Sequence, residues 1–175
     1  MAEGVAAAPA AFLNFAYGSN MLTQRLQARS PSARPVTVAV LRGHELRWHK
    51  LSQDGSGKCD IVRSARPSAQ VIGVVHEILL VDKPALDAAE GLGHGYDERQ
   101  VIVESRSGPL QAWAYVATAI DPAAVPYTWY KALVLAGARQ HRFPAPYLRR
   151  LESVPARDDA DVARAELHFR LAAGG

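Results

Sequence analysis

The chain has a single cysteine, Cys59, among its 175 residues. An internal disulfide is therefore excluded, and a reducing, cytoplasmic setting is expected. The six histidines and Cys59 do not show the spacing of zinc ligands, so no metal site is expected. The sequence also lacks an apolar run of the roughly 18 to 20 residues that a membrane-spanning helix requires. A membrane partner is therefore not expected.

Long runs of one charge are also absent. The chain carries 20 Lys and Arg against 17 Asp and Glu, and its net charge of +3 comes from scattered arginines. Without a basic run or interleaved aromatic motif, no nucleic-acid partner is expected. Ser19 lacks the G-x-S-x-G pattern of hydrolases, and the sequence around Cys59 suggests a polar loop without an activating base. Neither residue is a good candidate nucleophile.

The composition is that of an ordinary globular protein, with 49% hydrophobic and 21% charged residues. Its length fits one domain. We expect a flexible N-terminal leader over residues 1–11, the domain over 12–155, and a C-terminal helical extension of the same domain over 156–175. The leader has Glu3 where a signal peptide would be basic.

The hydrophobic pattern predicts strands in the middle of the chain and helices towards the end. Strands are expected at 12–17, at 36–48 with a bulge or turn at Gly43, at 59–62, at 71–80, and in a hairpin of 100–104 with 111–117. Helices are expected at 21–26, 82–90, 128–140, 144–152 and 157–170. This order favours an α+β fold, with a curved, barrel-like mixed sheet flanked by helices.

The strand-to-helix junction Tyr17-Gly18-Ser19-Asn20 is the most informative segment. Gly18 would let the backbone approach a ligand closely, and either Ser19 or Asn20 could cap the following helix. Free N–H groups at such a junction favour a carboxylate or phosphate. A capped turn without any ligand is the alternative interpretation, because junctions of this composition are common.

One carboxylate stands out at the end of a predicted helix. Glu90 precedes a loop containing Gly91, Gly93 and Gly95, where it could project into a cleft and transfer protons. A solvated glutamate at a helix end is the alternative. The competing carboxylate, Glu98, has charged neighbours and is expected at the surface. His94 is the histidine expected near the cleft.

Together, four segments resemble the γ-glutamylcyclotransferase family: residues 15–21, the strand at 73–78, the segment 86–91 ending in Glu90-Gly91, and Tyr130-Lys131. The resemblance covers roughly residues 12–152. It implies a barrel-like α+β fold, no cofactor, and often a homodimer.

The resemblance also implies roles for individual residues. Glu90 would be the general acid/base, and the substrate would bind at Tyr17, Gly18, Ser19, Asn20, Met21, Tyr96 and Tyr130. The reaction would be the intramolecular cyclisation of a γ-glutamyl amide, releasing 5-oxoproline and an amino acid or amine. Backbone N–H groups of the turn would hold either the substrate α-carboxylate or the developing oxyanion.

Three alternatives for the function remain open at this point. The leaving group could be an amine, or the γ-glutamyl group could protect a biosynthetic intermediate, with Trp48, His94 or the helix around Trp129 shaping that part of the site. A different class of protein would be a non-catalytic module that binds an acidic metabolite at the turn. An additional buried carboxylate such as Glu90 would not help an anion binder.

Overall fold

The computed structural model describes residues 10–174, so most of the expected leader lies outside the described residues. The strands are β1 (Ala11–Ala16), β2 (Arg34–Arg42), β3 (His44–Leu51), β4 (Gly57–Arg63), β5 (Gln70–Leu79), β6 (Tyr96–Ser105) and β7 (Gly108–Ala117). The helices are α1 (Thr23–Gln27), α2 (Lys83–Glu90), α3 (Thr128–Gln140), α4 (Ala145–Glu152) and α5 (Val162–Ala173).

Five strands form a closed barrel in the order β1-β5-β2-β6-β7. The sheet is mixed, because β1 runs antiparallel to β5 but parallel to β7. The strand β5 lies between β1 and β2, and its Val71, Val74 and Val75 are fully buried. The expectation of an α+β fold with a barrel-like mixed sheet is therefore confirmed.

The strands β3 and β4 form a separate two-stranded sheet. Of the bulge or turn expected at Gly43, the structure has the turn: Gly43 takes a left-handed φ of 67° and divides the stretch 36–48 into β2 and β3, which belong to different sheets. The carboxylate of Asp60 on β4 accepts a hydrogen bond from the Ala117 N–H at 2.8 Å, and His49 lies 2.9 Å from its other oxygen. This carboxylate fastens the small sheet to the barrel.

Helix α3 packs against the segment that follows β1. A Cβ added at Gly137 would lie 2.5 Å from the Leu22 backbone nitrogen and 2.8 Å from the Met21 Cβ. Real Cβ atoms do not approach so closely, so only glycine permits this contact. Gly137 thereby allows α3 to pack directly against the backbone of Met21 and Leu22.

The C-terminal helix begins later than predicted. Residues 157–161 are not helical, because Asp159 is buried and accepts hydrogen bonds from Trp129 Nε1 at 2.8 Å and from Arg164. Asp161 then caps α5 by accepting from the Arg164 N–H. None of the helices formed by residues 10–174 has the length and apolar character needed to cross a membrane.

Candidate active site

The segment Tyr17–Met21 lies at one end of the barrel, where β1 stops. Gly18 faces the small sheet so closely that an added Cβ would lie 3.0 Å from both the Cys59 Cβ and the Tyr130 hydroxyl. Residues Ser19–Met21 then form a single 3-10 turn, which leads into α1. A side chain at position 18 would therefore force Cys59 or Tyr130 to shift, which explains why glycine suits this position.

The expectation that Ser19 or Asn20 caps the helix is wrong. No side chain caps either the 3-10 turn or α1. The Ser19 hydroxyl instead accepts from Arg25 Nε at 2.9 Å, and the Asn20 amide turns towards Glu90. The N–H of Gly18 makes no hydrogen bond to a described residue, and those of Ser19 and Asn20 begin a turn, where no intrahelical acceptor exists.

Glu90 is the last residue of α2, and the left-handed Gly91 ends the helix there. Its side chain is only 13% exposed. The Oε1 atom accepts hydrogen bonds from Asn20 Nδ2 at 2.8 Å and from Arg29 Nη1 at 2.6 Å. Arg29 Nη1 also donates to Asn20 Oδ1 at 3.0 Å. These contacts hold one oxygen of the carboxylate, while no described residue donates to Oε2.

Three tyrosines surround the same space. The Tyr96 hydroxyl donates to the Cys59 carbonyl at 2.7 Å, and the Tyr130 hydroxyl accepts from the Cys59 N–H at 3.0 Å. The Tyr17 hydroxyl donates to the Tyr115 carbonyl. Burial raises the pKa of Tyr17, Tyr96 and Tyr130 well above the usual value, so all three remain neutral.

These groups enclose one cavity, with an interior of about 40 Å³. That interior holds a few water molecules, and the cavity is open on one side to solvent. The lining residues are Asn14, Phe15, Ala16, Tyr17, Gly18, Ser19, Asn20, Cys59, Glu90, Tyr96, Tyr115 and Tyr130. Of the eight residues carried over from the family, seven line the cavity.

Met21 is the one residue carried over from the family that does not contribute to the cavity. The Met21 side chain is fully buried in the core, and it does not line the cavity. Its carbonyl lies 3.0 Å from His141 Nε2. Met21 therefore supports the turn from behind, by packing against α3 at Gly137.

The surroundings of the site are positively charged. Burial, followed by repulsion from Arg29, lowers the pKa of Arg25 to about 10. Even so, Arg25 remains charged at neutral pH, and its bond to Ser19 places that charge beside the turn. An acidic substrate would therefore meet a favourable electrostatic field.

Three expectations about individual residues are corrected. Cys59 lies in β4, which agrees with the strand expected at 59–62, but its side chain is buried and not in polar loop surroundings, and burial raises the pKa of its thiol to about 12. Glu98 is not at the surface: its side chain is 16% exposed, and it lies 2.9 Å from Lys83 Nζ. His94 is exposed and does not line the cavity.

Arg25, Arg29 and Tyr115 belong to the site but were not predicted from the sequence. The two arginines are four residues apart, a spacing that places side chains on one face of a helix, and this spacing could have indicated that both face the site. No sequence pattern marks Tyr115, because its contacts depend on how β7 closes the barrel. Residues 10–174 contain no group of three His, Cys, Asp or Glu side chains arranged to hold a metal ion.

Known proteins share the fold and much of the sequence of this chain. The model of the AIG2-like family matches residues 70–151. A solved structure of a gamma-glutamyl cyclotransferase superimposes with a TM-score of 0.84 at 30% identity, covering 94% of this chain and 99% of that one.

Curated relatives give the same result. The gamma-glutamylcyclotransferase of Homo sapiens is 32% identical over 84% of this chain and 80% of its own length. That of Bos taurus is 31% identical, with the same coverage of both chains. The chain belongs to the γ-glutamylcyclotransferase family, which is a family of enzymes.

Proposed function

We propose that this protein is a γ-glutamylcyclotransferase that converts a γ-glutamyl amide into 5-oxoproline and a free amino acid or amine. The observation that carries the proposal is the position of Glu90. Its carboxylate is largely buried, faces the cavity beside the Gly18–Asn20 backbone, and has one oxygen without a protein donor among the described residues.

The reaction needs no nucleophile from the enzyme. The α-amine of the γ-glutamyl group attacks its own δ-carbonyl carbon, which forms the C–N bond of a five-membered lactam. The original amide C–N bond then breaks, and its electron pair stays on the leaving nitrogen. Holding the chain folded back makes the step intramolecular, and good orientation is worth an effective concentration of about 10⁵ M or more.

Glu90 provides the proton transfers. At neutral pH the α-amine is an ammonium ion, which must lose a proton before it can attack. Glu90 Oε2 accepts that proton and delivers it to the leaving nitrogen. After the attack, the ring nitrogen carries a second proton that the lactam does not keep; Glu90 accepts it and passes it to the departing amine, which leaves as an ammonium ion, so the enzyme returns to its starting state. Asn20 and Arg29 hold Oε1 during both transfers, which keeps Oε2 directed at the cavity.

The backbone N–H groups of the turn stabilise negative charge on the substrate. The N–H groups of Gly18, Ser19 and Asn20 are free to donate to the substrate α-carboxylate or to the oxyanion on the δ-carbon. Tyr17, Tyr96 and Tyr130 line the rest of the cavity as neutral hydroxyl groups. The proposal includes a cytoplasmic location and a homodimer, which rest on the single cysteine and on the family resemblance.

The direct test is to measure 5-oxoproline released from a panel of γ-glutamyl dipeptides, glutathione and γ-glutamyl amines. We expect release from at least one member, with the free amino acid or amine in equal amount. If no compound is cyclised although several protect the protein against heat, the protein is a binding module and the proposal is wrong.

Arg29 is expected to act as a positioning residue for Glu90. Replacing it with Gln removes a charged hydrogen bond of 2.6 Å to Oε1, and such bonds contribute enough to lower kcat by about 10- to 100-fold. Arg29→Lys, which keeps a charged donor, should recover part of the lost kcat, and KM should change little in either variant. An unchanged kcat in folded Arg29→Gln would contradict this role.

A further inference from the structure

Two lysines face each other across the small sheet beside the active site. Lys50 on β3 is the register partner of Lys58 on β4, so their side chains leave the same face of the sheet. Both are largely buried. Like charges in this arrangement repel each other, so each ammonium group needs a source of compensation.

Lys58 is compensated within the protein. Its Nζ lies 2.9 Å from Asp54 Oδ2 and 2.6 Å from Ser56 Oγ. It also lies over the rings of Trp129, at 4.6 Å, and Tyr130, at 4.8 Å, a geometry that stabilises a cation. The positive charge of Lys58 is therefore satisfied without any ligand.

Lys50 has no equivalent partner. Lys50 is 9% exposed, and its Nζ makes neither a hydrogen bond nor an ion pair with a side chain in the described range 10–174. The Nζ atom lies 4.9 Å from the centre of the Tyr96 ring and packs against Gly95, where an added Cβ would be 3.0 Å away. Lys50 does not itself line the cavity, but Tyr96 does, and Glu90 lies close enough to act on the Lys50 ammonium electrostatically.

Burying an ammonium ion without a counterion is costly. Burial accordingly lowers the pKa of Lys50, while the charges of Glu90 and Asp54 act in the opposite direction. Neither carboxylate is in contact with Lys50: the Oε1 atom of Glu90 is held by Asn20 and Arg29, and Asp54 Oδ2 is paired with Lys58. An anion supplied from outside would complete the environment of Lys50.

We propose that Lys50 binds the carboxylate of the leaving amino acid and thereby selects γ-glutamyl amino acids over γ-glutamyl amines. This inference rests on the proposed cyclotransferase activity and adds a residue that recognises the carboxylate of the leaving group. In a γ-glutamyl amino acid, the carboxyl carbon is two bonds from the nitrogen that departs beside Glu90. A γ-glutamyl amine presents no charge at that position.

The experiment compares two substrates that differ only in this carboxylate, γ-glutamyl-L-alanine and γ-glutamyl-ethylamine. For the wild type, we expect kcat/KM to be about 10- to 100-fold higher for γ-glutamyl-L-alanine, the usual effect of one charge-assisted hydrogen bond. Lys50→Met keeps the apolar stem of the side chain and should bring this ratio close to one. Lys50→Arg should retain most of the preference.

Arg106→Gln is the matched control for loss of one positive charge. Arg106 is exposed in the turn between β6 and β7, at the opposite end of β6 from Tyr96, so the ratio should stay at its wild-type value. If Lys50→Met fails to fold, Lys50→Gln takes its place. The wild-type ratio itself requires no variant.

The outcomes separate the two proposals. No 5-oxoproline from either substrate or from the wider panel would overturn the proposed function. Cyclisation of both substrates with a wild-type ratio near one would overturn only the role of Lys50. An equal loss for both substrates in Lys50→Met, with the ratio preserved, would also overturn it and would make Lys50 a structural residue. A collapse of the ratio restricted to the Lys50 variants supports the proposal.

Discussion

Glu90→Gln is expected to lower kcat by about 10² to 10⁴-fold, the usual contribution of a general acid/base. The amide has nearly the same shape as the carboxylate, and its oxygen can still accept from Asn20 and Arg29. Only the capacity to take and return a proton is lost. Substrate binding, measured by calorimetry or by protection against heat, should therefore change little.

Glu98→Gln is the control for Glu90→Gln. It removes another largely buried carboxylate. Glu98 is on β6, is paired with Lys83 of α2, and does not line the cavity. We expect this variant to keep at least a large part of the wild-type kcat. Near-normal turnover in folded Glu90→Gln, or an equal loss in both variants, would show that Glu90 is not the proton carrier.

Gly137→Ala is expected to destabilise the protein and to impair the active site together. In an ordinary helix interior this change stabilises by about 0.5 to 1 kcal/mol. Here the new methyl group would collide with the backbone of Met21 and Leu22, so we expect a loss of about 1 to 3 kcal/mol in the free energy of unfolding. Urea denaturation measures this change directly.

The activity of Gly137→Ala should fall as well, because relief of the collision pushes the 3-10 turn Ser19–Met21 away from α3 and displaces Asn20 from Glu90. Gly174→Ala is the matched control. Its Cβ would have its nearest atom at 3.6 Å, an ordinary contact, and it lies just after α5. A Gly137→Ala protein that is as stable and as active as the wild type would contradict the proposed packing of α3 on the turn.

The sequence predicted the parts of the fold that depend on local pattern. The buried strand β5, the hairpin of β6 and β7, and the helix α3 carry strong periodicity or clear turn residues, and all three are present. At Gly43 the sequence predicted either a bulge or a turn, and it could not show that the two halves of the stretch belong to different sheets, because that depends on contacts with distant strands.

The site could be predicted only where a local motif marks it. Gly18, Asn20 and Glu90 were found through their turn, helix-end and family patterns, and the structure brings them to one cavity. Arg29 was missed because its contact with Glu90 spans 61 positions in the sequence. The buried position of Cys59 likewise depends on how the small sheet packs on the barrel, which no local pattern encodes.

The lone thiol of Cys59 gives the protein a built-in reporter. Because the chain has one cysteine and that residue lines the cavity, every alkylation event marks the site, with no background from other thiols. A buried thiol with a pKa of about 12 reacts slowly with iodoacetamide, so the labelling rate follows how often the cavity opens. A bound ligand that slows labelling thus reveals its occupancy without turnover, and mass spectrometry can rank inhibitors and non-reactive substrate analogues on the unmodified protein.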